Sequence, residues 1–236
     1  MQRISTDALV DTVKKQSLKI TTTGRTPGCF STDGTKLLIV AELYPDFQPV
    51  IAILDIRLNF QADNFQSVTL SKLVKVPNLS TEDRIESCRF IRGNFYLATK
   101  DGGFRINTEG VVTRLFTTWA KDFFEKEAKI YATGFNGGDF SVSTDNGVTW
   151  RKVPGGSELQ YVEVANGQVF SQIQRGSIYG LADSALAKVR QINYNAGFLL
   201  NKFDVYSDVK YFQKKYYFNA GDKGNRVLAT DKVLIK

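Results

Sequence analysis

Residues Ser143 to Trp150 spell STDNGVTW, a Ser-x-Asp-x-Gly-x-Thr-Trp arrangement set between two strand-like runs, FSVSTD (Phe140–Asp145) and TWRKVP (Thr149–Pro154). Each residue type suits a tight connection. An Asp carboxylate accepts backbone N–H groups across a turn, Gly147 tolerates a positive φ, and the Ser143 and Thr149 hydroxyls bond locally. Trp150 offers an apolar ring to pack between neighbouring sheets. The stretch reads as the closure of a hairpin, and its surroundings show that the hairpin is one of a series.

From Leu18 onward the chain consists of short alternating runs broken by Gly, Asn and Asp, the pattern of a sandwich, barrel or propeller. The strongest runs are KLLIVAEL (36–43), NFYLATK (94–100), KIYATGF (129–135), QVFSQIQ (168–174) and KYYFNAG (215–221), each rich in β-branched or aromatic residues. Each is followed by a second run whose sixth residue is acidic: VIAILD, FRINTE, FSVSTD, IYGLAD and RVLATD, giving Asp55, Glu109, Asp145, Asp183 and Asp231 as turn acids in register. A strand-like segment precedes and another follows each pair. Four antiparallel strands repeated five times predict an all-β fold, a five-bladed β-propeller of four-stranded blades. A β-sandwich with accidental spacing is the alternative, and the common register of the acids speaks against it.

The expected organisation is an N-terminal arm or short helix over residues 1–16 and a single propeller domain over 17–236, with blades near 24–77, 81–119, 121–155, 158–194 and 203–236. In STDALVDTVKKQ, Ser5 or Thr6 can cap a helix that carries Asp early and Lys14 and Lys15 late, matching its dipole. An open ring exposes strand edges, so Ser17–Thr23 is expected to close it by joining the last blade, whose own final strand would be KVLIK.

Composition excludes several functions. The 236 residues carry a net charge of +7 and no histidine. That removes Ser-His-Asp and Cys-His catalysis and any His-bearing zinc site. The basic charge is scattered, with no run longer than a Lys or Arg pair, so specific nucleic-acid binding is not expected. Cys29 and Cys88 lie in strand-like text and read as buried free thiols, with a disulfide left open because spacing does not decide it. No apolar stretch approaches the roughly 18 residues of a membrane span. MQRISTDALVDTVKKQ does not read as a secretory signal, and a soluble chain made in the cytoplasm is expected. Neither a cofactor nor a metal site is expected: GFNGGD (134–139) lacks the Lys-Ser/Thr of a phosphate loop, and TEDRIE (81–86) lacks metal-ligand spacing.

The run Lys129–Val153 resembles the Asp-box, or bacterial-neuraminidase repeat, of sialidase-like propellers, with a complete match at Ser143, Asp145, Gly147, Thr149 and Trp150. In those families the box lies on the outer edge and is structural, so the resemblance implies a fold and directs the search for function elsewhere. It also raises sialidase activity, which would require an arginine triad and an Arg-Ile-Pro motif. FRIN (104–107) approaches that motif but lacks the proline, and Ile106 reads as core. Other glycosidases need two carboxylates roughly 5–10 Å apart. Among 24 acids some pair is inevitable, and the densest cluster, Asp122, Glu125 and Glu127, reads as a solvated blade edge.

The expected function is therefore a non-enzymatic interaction scaffold, its partners other proteins of an assembly. By analogy of fold, the chain is similar to small virion propellers of short-tailed bacteriophages, with the N-terminal arm docking on neighbouring subunits. The alternative is a glycan-binding propeller using the loop aromatics of the first blade: Tyr44 and Phe47 beside Asp46, Phe60 and Phe65, and in a later blade Phe135.

Overall fold

The computed structural model describes residues 7–20, 28–46, 48–59, 64–76, 79, 85–134, 140–153, 161–172, 178–181, 189–193, 206–220, 226–230 and 234–235. These residues form one helix and a series of antiparallel sheets, and the chain divides into two compact units, Met1–Ala120 and Lys121–Lys236.

The first unit begins with helix α1 (Asp7–Lys15), acidic at its start and basic at its end. Sheet I follows: β1 (Leu18–Ile20) and β2 (Gly28–Phe30) share one edge of β3 (Lys36–Leu43), which pairs in turn with β4 (Gln48–Asn59) and β4 with β5 (Asn64–Val74). Sheet II is β6 (Ile85–Ile91), β7 (Asn94–Thr99), β8 (Gly102–Asn107) and β9 (Val112–Phe116) in sequence order. KLLIVAEL and VIAILD are continuously apolar where a half-exposed strand would alternate, because both faces of sheet I are covered. Leu37, Ile39 and Ala41 of β3 and Val50, Ala52, Leu54 and Ile56 of β4 join Leu9 and Val13 of α1 in one core. The intervening Leu38, Val40, Ile51 and Ile53 join Phe95, Leu97, Phe104 and Ile106 of sheet II in another.

The second unit holds sheet III, β10 (Ala120–Lys126), β11 (Lys129–Gly134), β12 (Ser141–Ser143) and β13 (Arg151–Lys152). Sheet IV is β14 (Tyr161–Ala165), β15 (Gln168–Gln172), β16 (Ile178–Leu181) and β17 (Val189–Asn193), with β21 (Leu234–Ile235) added beside β17; sheet V is β18 (Tyr206–Phe212), β19 (Lys215–Ala220) and β20 (Arg226–Thr230). Phe124, Tyr131 and Val142 of sheet III, with Phe140 directly before β12, pack against Val162 and Val169 of sheet IV.

Four hairpins of the same construction recur, β6–β7, β10–β11, β14–β15 and β18–β19. Each turns through two residues of positive φ: Arg92–Gly93, Glu127–Ala128, Asn166–Gly167 and Gln213–Lys214. Positive φ at both central residues is the type I′ requirement, which matches the twist of the flanking strands. Two of these turns contain no glycine, so Cβ-bearing residues take the left-handed conformation at a cost of roughly 1–2 kcal/mol per residue.

The structure corrects three expectations. Leu18–Ile20 does not pair with the last blade; it pairs antiparallel with Ala41–Leu43 in sheet I. The cause is local: Ser17 turns at φ 54° directly after α1, its carbonyl accepts the Tyr44 amide at 2.9 Å, and Leu18 enters the same core as Leu9 and Val13. Helix α1 of the N-terminal arm packs on the same sheet: it covers a sheet face, and Thr12 Oγ1 donates to the Val68 carbonyl of β5 at 3.1 Å. The final Leu234–Ile235 pairs with Asn193–Ile192 of sheet IV, whereas it was expected to complete the fifth blade. Cys29 and Cys88 are not free thiols: β2 and β6 bring their Cα atoms to 5.6 Å and the two are joined in a disulfide across 59 residues, a separation that such a bond spans.

Two outcomes follow from this packing. Leu9→Ala should destabilise the chain by about 2–3 kcal/mol through lost burial and the cavity left behind, measured by denaturant unfolding; a change under half a kcal/mol would show that the helix is dispensable. Ala128→Gly should stabilise by about 1 kcal/mol by relieving the left-handed Cβ, read as a higher denaturation midpoint, whereas the same substitution at Ala132, inside β11, should destabilise.

Candidate functional site

The Ser143–Trp150 turn connects β12 to β13, and its polar groups bond almost entirely to each other. Ser143 Oγ donates to Asp145 Oδ1 at 2.8 Å and accepts the Gly147 amide at 2.8 Å. Asp145 Oδ1 also accepts the amides of Val148 and Thr149, at 3.1 and 2.9 Å, while its Oδ2 accepts the Thr149 hydroxyl at 2.6 Å. Asn146 and Gly147 take positive φ, 57° and 79°. These donors hold the Asp145 carboxyl at a pKa of about 2, the Thr149 hydroxyl and amide contributing most, then Ser143. Trp150 Nε1 donates to the Gly147 carbonyl at 3.2 Å, and its ring meets Phe123 of β10 edge-on at 5.8 Å. This ring contact is made within sheet III itself.

A second turn of the same logic connects β2 to β3. Ser31 Oγ donates to Asp33 Oδ1 at 2.5 Å and accepts the Lys36 amide, and Asp33 accepts the Thr35 amide at 3.1 Å and its hydroxyl at 2.9 Å. The Asp33 carboxyl is lowered for the same reason, Ser31 first and Thr35 next. The signal was present in FSTDGTK, which carries the Ser-x-Asp pair and the following Thr in a shorter frame.

The other turn acids behave differently. Asp55 is not at a turn: β4 continues to Asn59, and Asp55 sits directly across from Lys36, with Nζ 2.5 Å from Oδ1. Glu109 is in the β8–β9 turn, yet it is Asn107 Oδ1 that accepts the Val111 amide there, at 2.7 Å. Asp183 and Asp231 lie outside the described residues.

The loop aromatics of the first blade do not assemble. Tyr44 is 63% exposed and follows the edge of a shallow groove of about 590 Å³ with Val10, Leu18 and Lys19. Asp46 is exposed beside it, while Phe47, Phe60 and Phe135 lie outside the described residues. Phe65 is not a loop residue: it belongs to β5, is 7% exposed and stacks on Phe30 at 6.5 Å. Its place in the strand explains the difference, since Phe65 pairs across from Leu58 and turns its side chain into the α1 core.

The buried carboxylates are tied to the protein. Asp122, expected at a solvated edge, is fully buried at the start of β10 and accepts the amides of Phe123 and, from sheet IV, Val162, both at 2.9 Å. Glu125 and Glu127 of the same segment are exposed. In the first unit buried Glu86 accepts Trp119 Nε1 at 3.2 Å, and Ile106 of FRIN is fully buried core.

A cluster that the sequence reading missed lies at the tips of β14–β15 and β18–β19. Tyr216 is buried, and its hydroxyl accepts Asn166 Nδ2 at 3.1 Å and donates to Gln168 Oε1 at 3.3 Å. Its ring meets Phe170 edge-on at 5.8 Å and Tyr211, its cross-strand partner, at 4.7 Å. Tyr211 is 37% exposed and Phe212 63%. The available signals were the Asn166–Gly167 dipeptide and the aromatic-lysine run YFQKKYYF (211–218).

No protein-family model matches the chain, and no curated protein sequence matches it. Solved structures do. The apo soluble aldose sugar dehydrogenase of Escherichia coli aligns with a TM-score of 0.58 at 10% identity, over 91% of this chain and 85% of that one. The Pan2 WD40 domain of Neurospora crassa aligns at 0.54 and 9% identity, over 89% of this chain and 61% of that one. The chain is an all-β propeller. WD40 domains are built from radially arranged four-stranded sheets, and at this identity the likeness speaks for the fold alone. A chain of a nidogen/laminin complex aligns at 0.51 and 12% identity, over 86% of this chain and 74% of that one. Among the described residues no helix is long and apolar enough to cross a membrane.

The Asp145 turn has a pH signature. A carboxyl whose pKa falls on folding, here to about 2 from 3.8, contributes stability that is present above the unfolded value and lost as pH falls through the folded one. Wild type should therefore lose stability between about pH 4 and pH 2, and Asp145→Ala should flatten that part of the curve while lowering stability at neutral pH. Parallel acid limbs in the two proteins, followed by denaturant midpoints, would reject this role.

Proposed function

We propose that this propeller is a non-enzymatic interaction scaffold, a rigid support whose hairpin tips and loops bind the other components of an assembly. The observation that carries the reading is how its acids are used. Asp122 and Glu86 are buried and hold backbone amides and an indole N–H, and Asp145 and Asp33 hold turns whose donors lower their carboxyl pKa. A general acid needs the opposite, a carboxyl raised toward neutral pH beside a substrate-sized cleft. The fold itself is a frame on which function resides in loops.

The finer placement among Asp-box propellers is supported by the complete five-residue match from Ser143 to Trp150 and by the way those residues bond. Within assemblies, a virus particle is the setting we put forward, on the similarity of fold to small virion propellers. Cross-linking in the native source followed by mass spectrometry tests the whole reading. One dominant protein neighbour at fixed stoichiometry, linked through the hairpin tips or the Tyr44 segment and recovered with particles, is the expected result. Hydrolysis of aryl sialosides or other aryl glycosides by the purified chain, above the buffer rate, would overturn it.

A further inference from the structure

We infer that the adjoining tips of β14–β15 and β18–β19 form a shallow site for an acidic sugar, a hexuronate unit of a polysaccharide, with Tyr211 as its stacking platform. The inference rests on the scaffold reading, to which it adds a ligand class and a place. Three features of the tip converge. Tyr211 presents part of its ring to solvent at a fixed tilt, because buried Tyr216 holds it from behind at 4.7 Å. Tyr216 is itself fixed by Phe170 and by two side-chain amides, Asn166 and Gln168. The bonds to Tyr216 engage one group of each amide, so the Asn166 oxygen and the Gln168 nitrogen keep capacity for a ligand. The turn between β18 and β19 places exposed Lys214 at the rim in a left-handed conformation, φ 62°, with Gln213 at φ 47° beside it.

The chemistry of this surface selects its ligand. A pyranose ring has an apolar C–H face that lies on an aromatic ring, and hydroxyls that are both donors and acceptors, as amides are. A carboxylate on the sugar would meet the lysine.

The test uses the full chain, isotope-labelled, titrated with a galacturonate trimer and, separately, with the neutral galactose trimer while amide resonances are followed. Binding of the acidic trimer should perturb residues 164–168 and 211–216. Tyr211→Ala should weaken it about tenfold, Tyr211→Phe should retain it, and Lys214→Gln should weaken the acidic trimer while leaving the neutral one unchanged. Thermal melts of each variant check that the fold is kept. Absence of perturbation at the tips in the wild type, perturbation centred on the Tyr44 groove, or equal affinity for both trimers would overturn the site. Cleavage of the trimer during the titration would instead overturn the non-enzymatic reading, so the two failures are told apart.

Discussion

An antiparallel sheet of four or five strands has two faces, and each strand of this chain that carries apolar residues on both sides needs two covers. Sheet I shows the constraint most fully. The residues of β3 divide by parity, Leu37, Ile39 and Ala41 toward one core and Leu38 and Val40 toward the other, and β4 divides in the same way. One face is closed by sheet II and the other takes α1. At about 25 cal/mol per Å² of apolar surface removed from water, neither face could remain open without a large loss. The helix is thus a structural cover, and this decides the path of β1, which leaves α1 through the Ser17 turn and has no reach except along the near edge of β3. The disulfide from β2 to β6 runs between the two sheets whose faces already share a core.

With the faces covered, what remains is to satisfy backbone groups where strands reverse. The chain does this in two ways. Four hairpins use two residues of positive φ, and two other described turns use a carboxylate: Asp145 gathers two amides and a threonine hydroxyl around one side chain, and Asp33 one amide and a threonine hydroxyl. Both devices replace lost ladder bonds, as any backbone group removed from water requires. The carboxylate device needs an ionised group, which is why the same bonds that shape the turn also lower its pKa.

Most strands were legible because their residue types and turn punctuation are local properties. The five strongest runs became β3, β7, β11, β15 and β19, and α1 was visible from its end charges. The repeat of acids was a less faithful guide than it seemed. Asp55 fell into register with Asp145 by position, but β4 runs past it, and in the β8–β9 turn the amide is taken by Asn107, not Glu109. Nothing in the text distinguishes an acid that ends a strand from one that pairs across it. The destination of Leu18–Ile20, the Cys29–Cys88 bond and the burial of Asp122 all depend on which distant segment lies alongside, and that information is not local. Phe65 was misread for a related reason: it was read as a loop aromatic of the first blade, whereas β5 already begins at Asn64 and Phe65 pairs across from Leu58.

The same distinction bears on where function can be sought. Side chains that build the frame are recognisable by having their polar atoms consumed within it, as at Asp145, Asp122 and Glu86. The tips of β14–β15 and β18–β19 are different in kind. There Asn166 and Gln168 converge on Tyr216, a ring outside their own hairpin, and the arrangement stops short of solvent at Tyr211, which is held firmly and left half open. Stability alone would be served by an Asn-Gly pair at both turns, as β14–β15 has at its own. The β18–β19 turn instead retains glutamine and lysine in the left-handed region next to two exposed aromatics. The β10–β11 turn is built at the same cost from Glu127 and Ala128, so it is the tilted Tyr211 ring and the amides gathered on Tyr216, and not the strain of the turn, that set this tip apart.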